Sequence, residues 1–127
     1  MKAARAALAA LLIAGVAPVL AAAPGTAQNF LDRANRLKSK GPLAFFDRDY
    51  RRLKAEATAV GDSIRDDRLA AERAGKPFLY CSPKARAQLG QFEFIDGLQA
   101  IPATQRATIS LKAAMLRILQ KKYPCPR

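Results

Sequence analysis

YCSPKARAQLGQFEFIDGLQAIPATQRATISLKAAMLRILQKKYPCPR, residues 80–127, holds the pattern that decides the fold. Two helix-forming runs flank Ile101-Pro102, and the chain's two cysteines, Cys81 and Cys125, stand outside them. The first run predicts a helix from about Leu89 to Ala100. Its apolar residues Phe92, Phe94, Ile95 and Leu98 spread round the circumference, which marks it as the most buried helix. The second run predicts a helix from Thr104 or Arg106 to Tyr123, with Leu111, Ala114, Met115, Ile118 and Leu119 inward. Lys121 and Lys122 fall in its last turn, where cations complement the helix dipole. A tight corner at Ile101-Pro102 folds the two helices antiparallel, so the start of one lies beside the end of the other. Both cysteines then reach the same end of the hairpin.

Upstream, the same logic gives two further helices. Asn29 is placed to cap the first, about Asn29 to Lys40, with Asp32 in its first turn. Phe30, Ala34 and Leu37 form one apolar face, and Gly41-Pro42 stops the helix. PLAFF (42–46) predicts a short apolar turn with Phe45 and Phe46 plugging the core; the competing reading is an exposed partner-binding knob. The longest helix follows, about Asp47 to Ala74. Tyr50, Leu53, Ala57, Val60 and Ile64 recur at intervals of 3, 4, 3 and 4, the seam of a shallow-angle helix packing. Gly75-Lys76-Pro77 ends it. Leu and Ala dominate and no strand-like alternation persists, so the class is all-α: a small four-helix domain with a C-terminal disulfide-tied hairpin.

Residues 1–27, MKAARAALAALLIAGVAPVLAAAPGTA, have the layout of a secretory signal peptide. Lys2 and Arg5 supply the positive n-region and Leu8 to Leu20 an uncharged apolar stretch. A membrane span needs about 20 apolar residues, reached here only by counting the Pro/Ala/Gly tail. Gly25-Thr26-Ala27 is the better small-x-small cleavage site, cutting before Gln28; Ala21-Ala22-Ala23 is weakened by Pro24 just beyond it. The expectation is a single helical domain over 28–127, exported to the periplasm or secreted, with no transmembrane segment after cleavage. In an oxidising compartment an even cysteine count favours a Cys81–Cys125 disulfide over a free or metal-binding pair. The bond would close a loop of about 45 residues, worth about 4 kcal/mol on the chain-entropy model.

The 127-residue chain contains no histidine, which removes Ser-His-Asp and Cys-His catalysis and imidazole metal sites. None of Ser39, Ser63, Ser82 and Ser110 lies in a GxSxG elbow. Asp62 and Asp66 stand one helical turn apart and could hold a cation, but Arg65 and Arg68 interleave with them and with Asp67, which favours a solvated ion-pair face. Glu93 and Asp96 are the only acids after Glu72, too few to face a second carboxylate across a cleft. The expectation is a non-enzyme with no catalytic residue, no metal and no cofactor.

Charge is the other compositional signal: 22 lysines and arginines against 10 acids give a formal net charge of +12. Arg48, Arg51, Arg52 and Lys54 open the second long helix. Lys84 and Arg86 follow Cys81, while Lys121, Lys122 and Arg127 close the chain. The disulfide brings these last two groups to one end, a candidate patch for an anionic partner. Arg48, Arg51, Arg52 and Lys54 form a second basic face. No nucleic-acid motif is present. An acidic envelope protein, or lipopolysaccharide or anionic lipid, is the expected partner, against the bland reading that the charge only keeps the domain soluble. Oligomeric state stays open, a dimer included.

The segment from Tyr80 to Cys125 resembles the tail of the Tai-type family, periplasmic immunity proteins against type VI secretion amidases. The shared pattern is Cys-x-Pro, a helix, a corner followed by an arginine, a last amphipathic helix and Pro-Cys. Here those positions are Cys81, Pro83, Ile101, Pro102, Arg106, Pro124 and Cys125. The family's upstream cysteine-containing segment has no counterpart in residues 30–56, a region that resembles small secreted bacterial proteins sharing this tail. The resemblance implies a helical, disulfide-bonded protein that occludes an enzyme's active site. The resulting expectation is a protein-binding module, immunity- or inhibitor-like; the alternative is a cationic envelope protein binding lipopolysaccharide or lipid.

Overall fold

Gly75 is where the longest helix must stop, because the backbone there turns to φ +65°, a left-handed conformation that side chains with a Cβ disfavour. Its N–H donates to Glu72 O at 3.1 Å and that of Lys76 to Ala71 O at 2.9 Å, the paired bonds of a Schellman motif. Gly41, at φ +62°, lies two residues beyond Ser39, the C-cap of the first helix, and opens the turn that follows. The computed structural model describes residues 21–83 and 87–127, together with Gly15. The charged and apolar parts of the expected leader, in residues 1–14 and 16–20, lie outside the described residues, as do Lys84 and Arg86.

The protein is all-α. In chain order come α1 (Ala27–Lys38), a 3-10 helix (Gly41–Phe46), α2 (Arg48–Arg73), α3 (Gln91–Ala100), the single turn α4 (Ala103–Arg106) and α5 (Leu111–Lys122). The expected Cys81–Cys125 disulfide is present, with the Cα atoms 4.8 Å apart. Cys81 N–H also donates to Tyr123 O at 2.8 Å, so backbone and sulfur close the hairpin together.

Several boundaries differ from the sequence reading: α1 ends at Lys38 rather than Lys40, and α3 begins at Gln91 rather than Leu89. The first helix starts at Ala27, capped by Thr26 rather than Asn29: the Thr26 side chain accepts from Asn29 N at 3.2 Å. The fourth expected helix is broken into α4 and α5. Thr108, Ile109 and Ser110 are weak helix formers, and Ser110 adopts an extended conformation to cap α5, accepting from Ala113 N at 3.0 Å. Thr26 and Ser110, the two caps, face one another in an isolated antiparallel bridge.

The core forms where α1 meets the other three long helices. Phe30, Leu31 and Leu37 of α1, Leu53 and Ile64 of α2, Phe94 and Leu98 of α3, and Leu111, Ala114, Met115 and Leu119 of α5 are buried together. Phe30 and Phe94 meet with ring centroids 5.5 Å apart. Contrary to expectation α3 is not the most buried helix, since only Phe94 and Leu98 are enclosed and Phe92 is 71% exposed. Its covered face lies against α1 and α5, where Gly97 leaves room for Ile118, and Phe92, Asp96 and Gln99 on the other side are exposed. Arg106 holds the corner: Nη1 donates to Ile101 O at 2.6 Å and Gln99 O at 3.0 Å, and Nε to Gln28 Oε1 at 2.8 Å. The guanidinium thus satisfies carbonyls that the end of α3 leaves without helical partners.

Candidate interaction surface

A 3-10 helix has about three residues per turn, so positions i and i+3 eclipse. In Gly41–Phe46 this puts Gly41 with Ala44, Pro42 with Phe45, and Leu43 with Phe46 in three ridges. Only one ridge can face the protein, and Ala44 is its buried member. Leu43 and Phe46 are therefore 74% and 85% exposed, and Phe45 is 56% exposed. The expectation that Phe45 and Phe46 plug the core fails for this geometric reason, and both rings are exposed.

The turn is held in place at both ends. Asp47 caps α2, accepting from Asp49 N at 2.8 Å, and its carboxylate is ion-paired with Lys40 on the other side of the turn. The Lys40 ammonium, helped by the Asp49 amide, lowers the Asp47 pKa, and Asp47 raises that of Lys40. Phe45 sits edge-on to Tyr50 with centroids 5.3 Å apart, and Tyr50 OH donates to Gln91 Oε1 at 2.9 Å. That last bond ties α2 to the start of α3, one residue before exposed Phe92.

Basic side chains follow this apolar turn along the start of α2. Arg48, Arg51, Arg52 and Lys54 are all exposed, and Arg52 lies 3.6 Å from Asp49. Between α1 and α2 a cleft of about 300 Å³ is floored by Leu37 and Leu53 and walled by Arg33, Arg36, Lys40 and Arg52. Asp49 is the acid in its lining. Arg33 is committed to Glu56 at 2.6 Å, an ion pair that braces α1 against α2. The second basic face thus begins where the turn carrying exposed Leu43, Phe45 and Phe46 runs into α2, as the sequence order 43–54 already placed it. Arg36 and Leu43 were missed as surface members, because their inclusion depends on how α1 lies against α2.

The other candidate patch includes the last turn of α5. Lys122 Nζ donates to Gln88 O at 2.7 Å and to Glu93 Oε2 at 2.9 Å, so its charge spans the α3–α5 hairpin. The Lys122 hydrogen bond is the main cause of a lowered Glu93 pKa, and Glu93 raises that of Lys122. Lys121 and Arg127 are exposed; Lys84 and Arg86 lie outside the described residues.

The expected ion-pair face of α2 is built differently from the pattern. Asp67 pairs with Lys112 of α5 at 2.7 Å, and Lys112 also donates to Ser63 Oγ at 2.8 Å. Arg68 instead lies over the rings of Phe78 and Tyr80, at 4.6 and 5.5 Å from their centroids. Among the described residues no three His, Cys, Asp or Glu side chains gather as a metal site. No helix among them is long and apolar enough to cross a membrane. No protein-family model, curated protein or solved structure matches this chain.

Proposed function

We propose that this is an exported, non-enzymatic binding module that docks on an acidic envelope protein through the Gly41–Phe46 turn and its arginine collar. The observation that carries this reading is the exposure of Leu43, Phe45 and Phe46 on a turn braced from both sides. Large apolar side chains at the centre of an interface supply most of its free energy, and a preformed anchor loses little freedom on binding. Arg36, Arg48 and Arg52 would meet carboxylates on the partner's rim, giving orientation and a faster encounter. The histidine-free composition supports the non-enzymatic part, and the layout of residues 1–27 supports export. The resemblance of Tyr80–Cys125 to Tai-type tails supports an inhibitor-like form in which the turn enters an envelope enzyme's cleft.

The test is a photo-crosslinking amino acid at position 46 in the full chain, irradiated in cells. A discrete crosslinked protein band is expected, lost when Arg48, Arg51 and Arg52 are changed to Glu. Absence of a band, with sedimentation of the purified protein on anionic phospholipid or lipopolysaccharide vesicles, would replace this reading with the cationic envelope-surface one.

A further inference from the structure

Two small-residue sequences could direct removal of the leader, Gly25-Thr26-Ala27 and Ala21-Ala22-Ala23. Pattern alone favours the first, because Pro24 immediately follows the second. The fold separates them the other way. Ala27 is 0% exposed and is the first residue of α1. Its N–H donates to Ile109 O at 3.0 Å, and the N–H of Leu111 donates to Gly25 O at 3.0 Å, on either side of the Thr26–Ser110 bridge. Thr26 Oγ1 accepts from Asn29 N and its hydroxyl donates to Ala23 O at 2.7 Å. Residues 25–27 therefore stitch the start of α1 to the start of α5.

A cut after Ala27 would leave α1 without its cap and deprive the Leu111 amide of its acceptor and the Ile109 carbonyl of its donor. It would also remove a side chain enclosed by the core. Ala21, Ala23 and Pro24, by contrast, are exposed, and Ala22 and Ala23 contribute only carbonyls to the fold. We propose that leader peptidase hydrolyses the chain at one of the bonds after Ala21, Ala22 or Ala23, so that the mature protein keeps Gly25-Thr26-Ala27 as a structural element. Water adds across the bond, its hydroxyl to the alanine carbonyl carbon and its proton to the departing amine. Cutting after Ala21 or Ala22 keeps alanine before the bond and moves Pro24 away from it. The inference rests on the export reading.

The test is the intact mass of the protein recovered from the periplasm of a Gram-negative host expressing the full chain. A first residue of Ala22, Ala23 or Pro24 is expected. A product beginning at Gln28 would overturn the inference while leaving export standing. An uncleaved chain retained in the cytoplasm would overturn the export reading itself, and the inference with it. A second variant, Ala21→Gln with Ala22→Gln and Ala23→Gln, should lose processing, and continued cleavage after Ala27 would reject the proposal.

Discussion

The turns after α1 and α2 both follow a left-handed glycine, and both hand the chain two aromatic residues, yet only the second pair is covered. After Gly75, Tyr80 is buried, and Phe78 and Tyr80 lie under the Arg68 guanidinium. The next residue is Cys81, bonded through sulfur and backbone to the end of α5. After Gly41, Phe45 and Phe46 belong to a six-residue 3-10 helix that leads directly into α2, and no crosslink draws another element over them. Apolar composition is similar in the two turns, so it does not decide burial. What decides it is whether another part of the chain crosses above.

Breaking the covered turn should therefore cost far more stability than breaking the open one. The largest effect belongs to the crosslink. Cys81→Ser with Cys125→Ser, or reduction of the wild type, should lower stability by about 4 kcal/mol, since the closed loop is long. Thermal unfolding followed by circular dichroism reads this directly. Against a typical total of about 5–15 kcal/mol the loss is severe. A melting temperature unchanged by reduction would mean that backbone packing alone holds the turn.

The next largest effect tests what lies beneath the clamp. An added Cβ at Gly97 would come within 2.8 Å of both Cγ1 and Cδ1 of Ile118. Gly97→Val should destabilise by about 1–3 kcal/mol, because α3 and α5 are tied at one end and cannot simply move apart. In the crosslink-free variant the same substitution should cost less, a coupling that a double-mutant cycle measures.

Much of the covered half was legible in the sequence. Helix stops at Gly41 and Gly75, the α2 seam through Leu53 and Ile64, and the Cys81–Cys125 pairing follow from local chemistry and spacing. The split of the last helix was harder, because Thr108-Ile109-Ser110 disfavours a helix only modestly and the bridge to Thr26 decides the matter. Phe45 and Phe46 were misassigned because an apolar run carries no label saying which face is covered; the short span between Gly41 and the Asp47 cap was the available clue. Arg68 was placed on an ion-pair face because its aromatic partners lie ten and twelve residues on, beyond a reversal of the chain.

Arg68 gives the third test. Arg68→Ala should cost about 1–2 kcal/mol through lost ring stacking and lost packing of its stem. Phe46→Ser, on the open turn, should shift stability by no more than about 0.5 kcal/mol, while Leu43→Ser should weaken the partner band crosslinked from position 46. A large loss of stability in Phe46→Ser would show that this ring is covered after all, and the contrast between the turns would collapse.

The smallest effect is a dependence on pH at the clamp. Glu93 accepts from Lys122 Nζ and from Gly90 N, and both bonds favour its charged form, lowering its pKa from the ordinary 4.5. Its contribution is thus present above that ordinary value and lost as acid protonates the folded carboxyl. Lys122 is raised above 10.5, chiefly by Glu93, so its contribution is complete below that value and lost as pH rises through the folded pKa. Between these limits the pair should be flat in pH, and Glu93→Gln should remove the acid-side part of the slope. The Lys40–Asp47 pair on the open turn has shifts of the same directions. Asp47→Asn should therefore alter the acid slope in the same sense, although Asn still caps α2. Since both pairs sit in water, their screening by salt should be similar. A salt-insensitive Glu93 contribution would indicate that the clamp shields its ion pair as it shields Tyr80, extending the difference between the two turns from rings to charges.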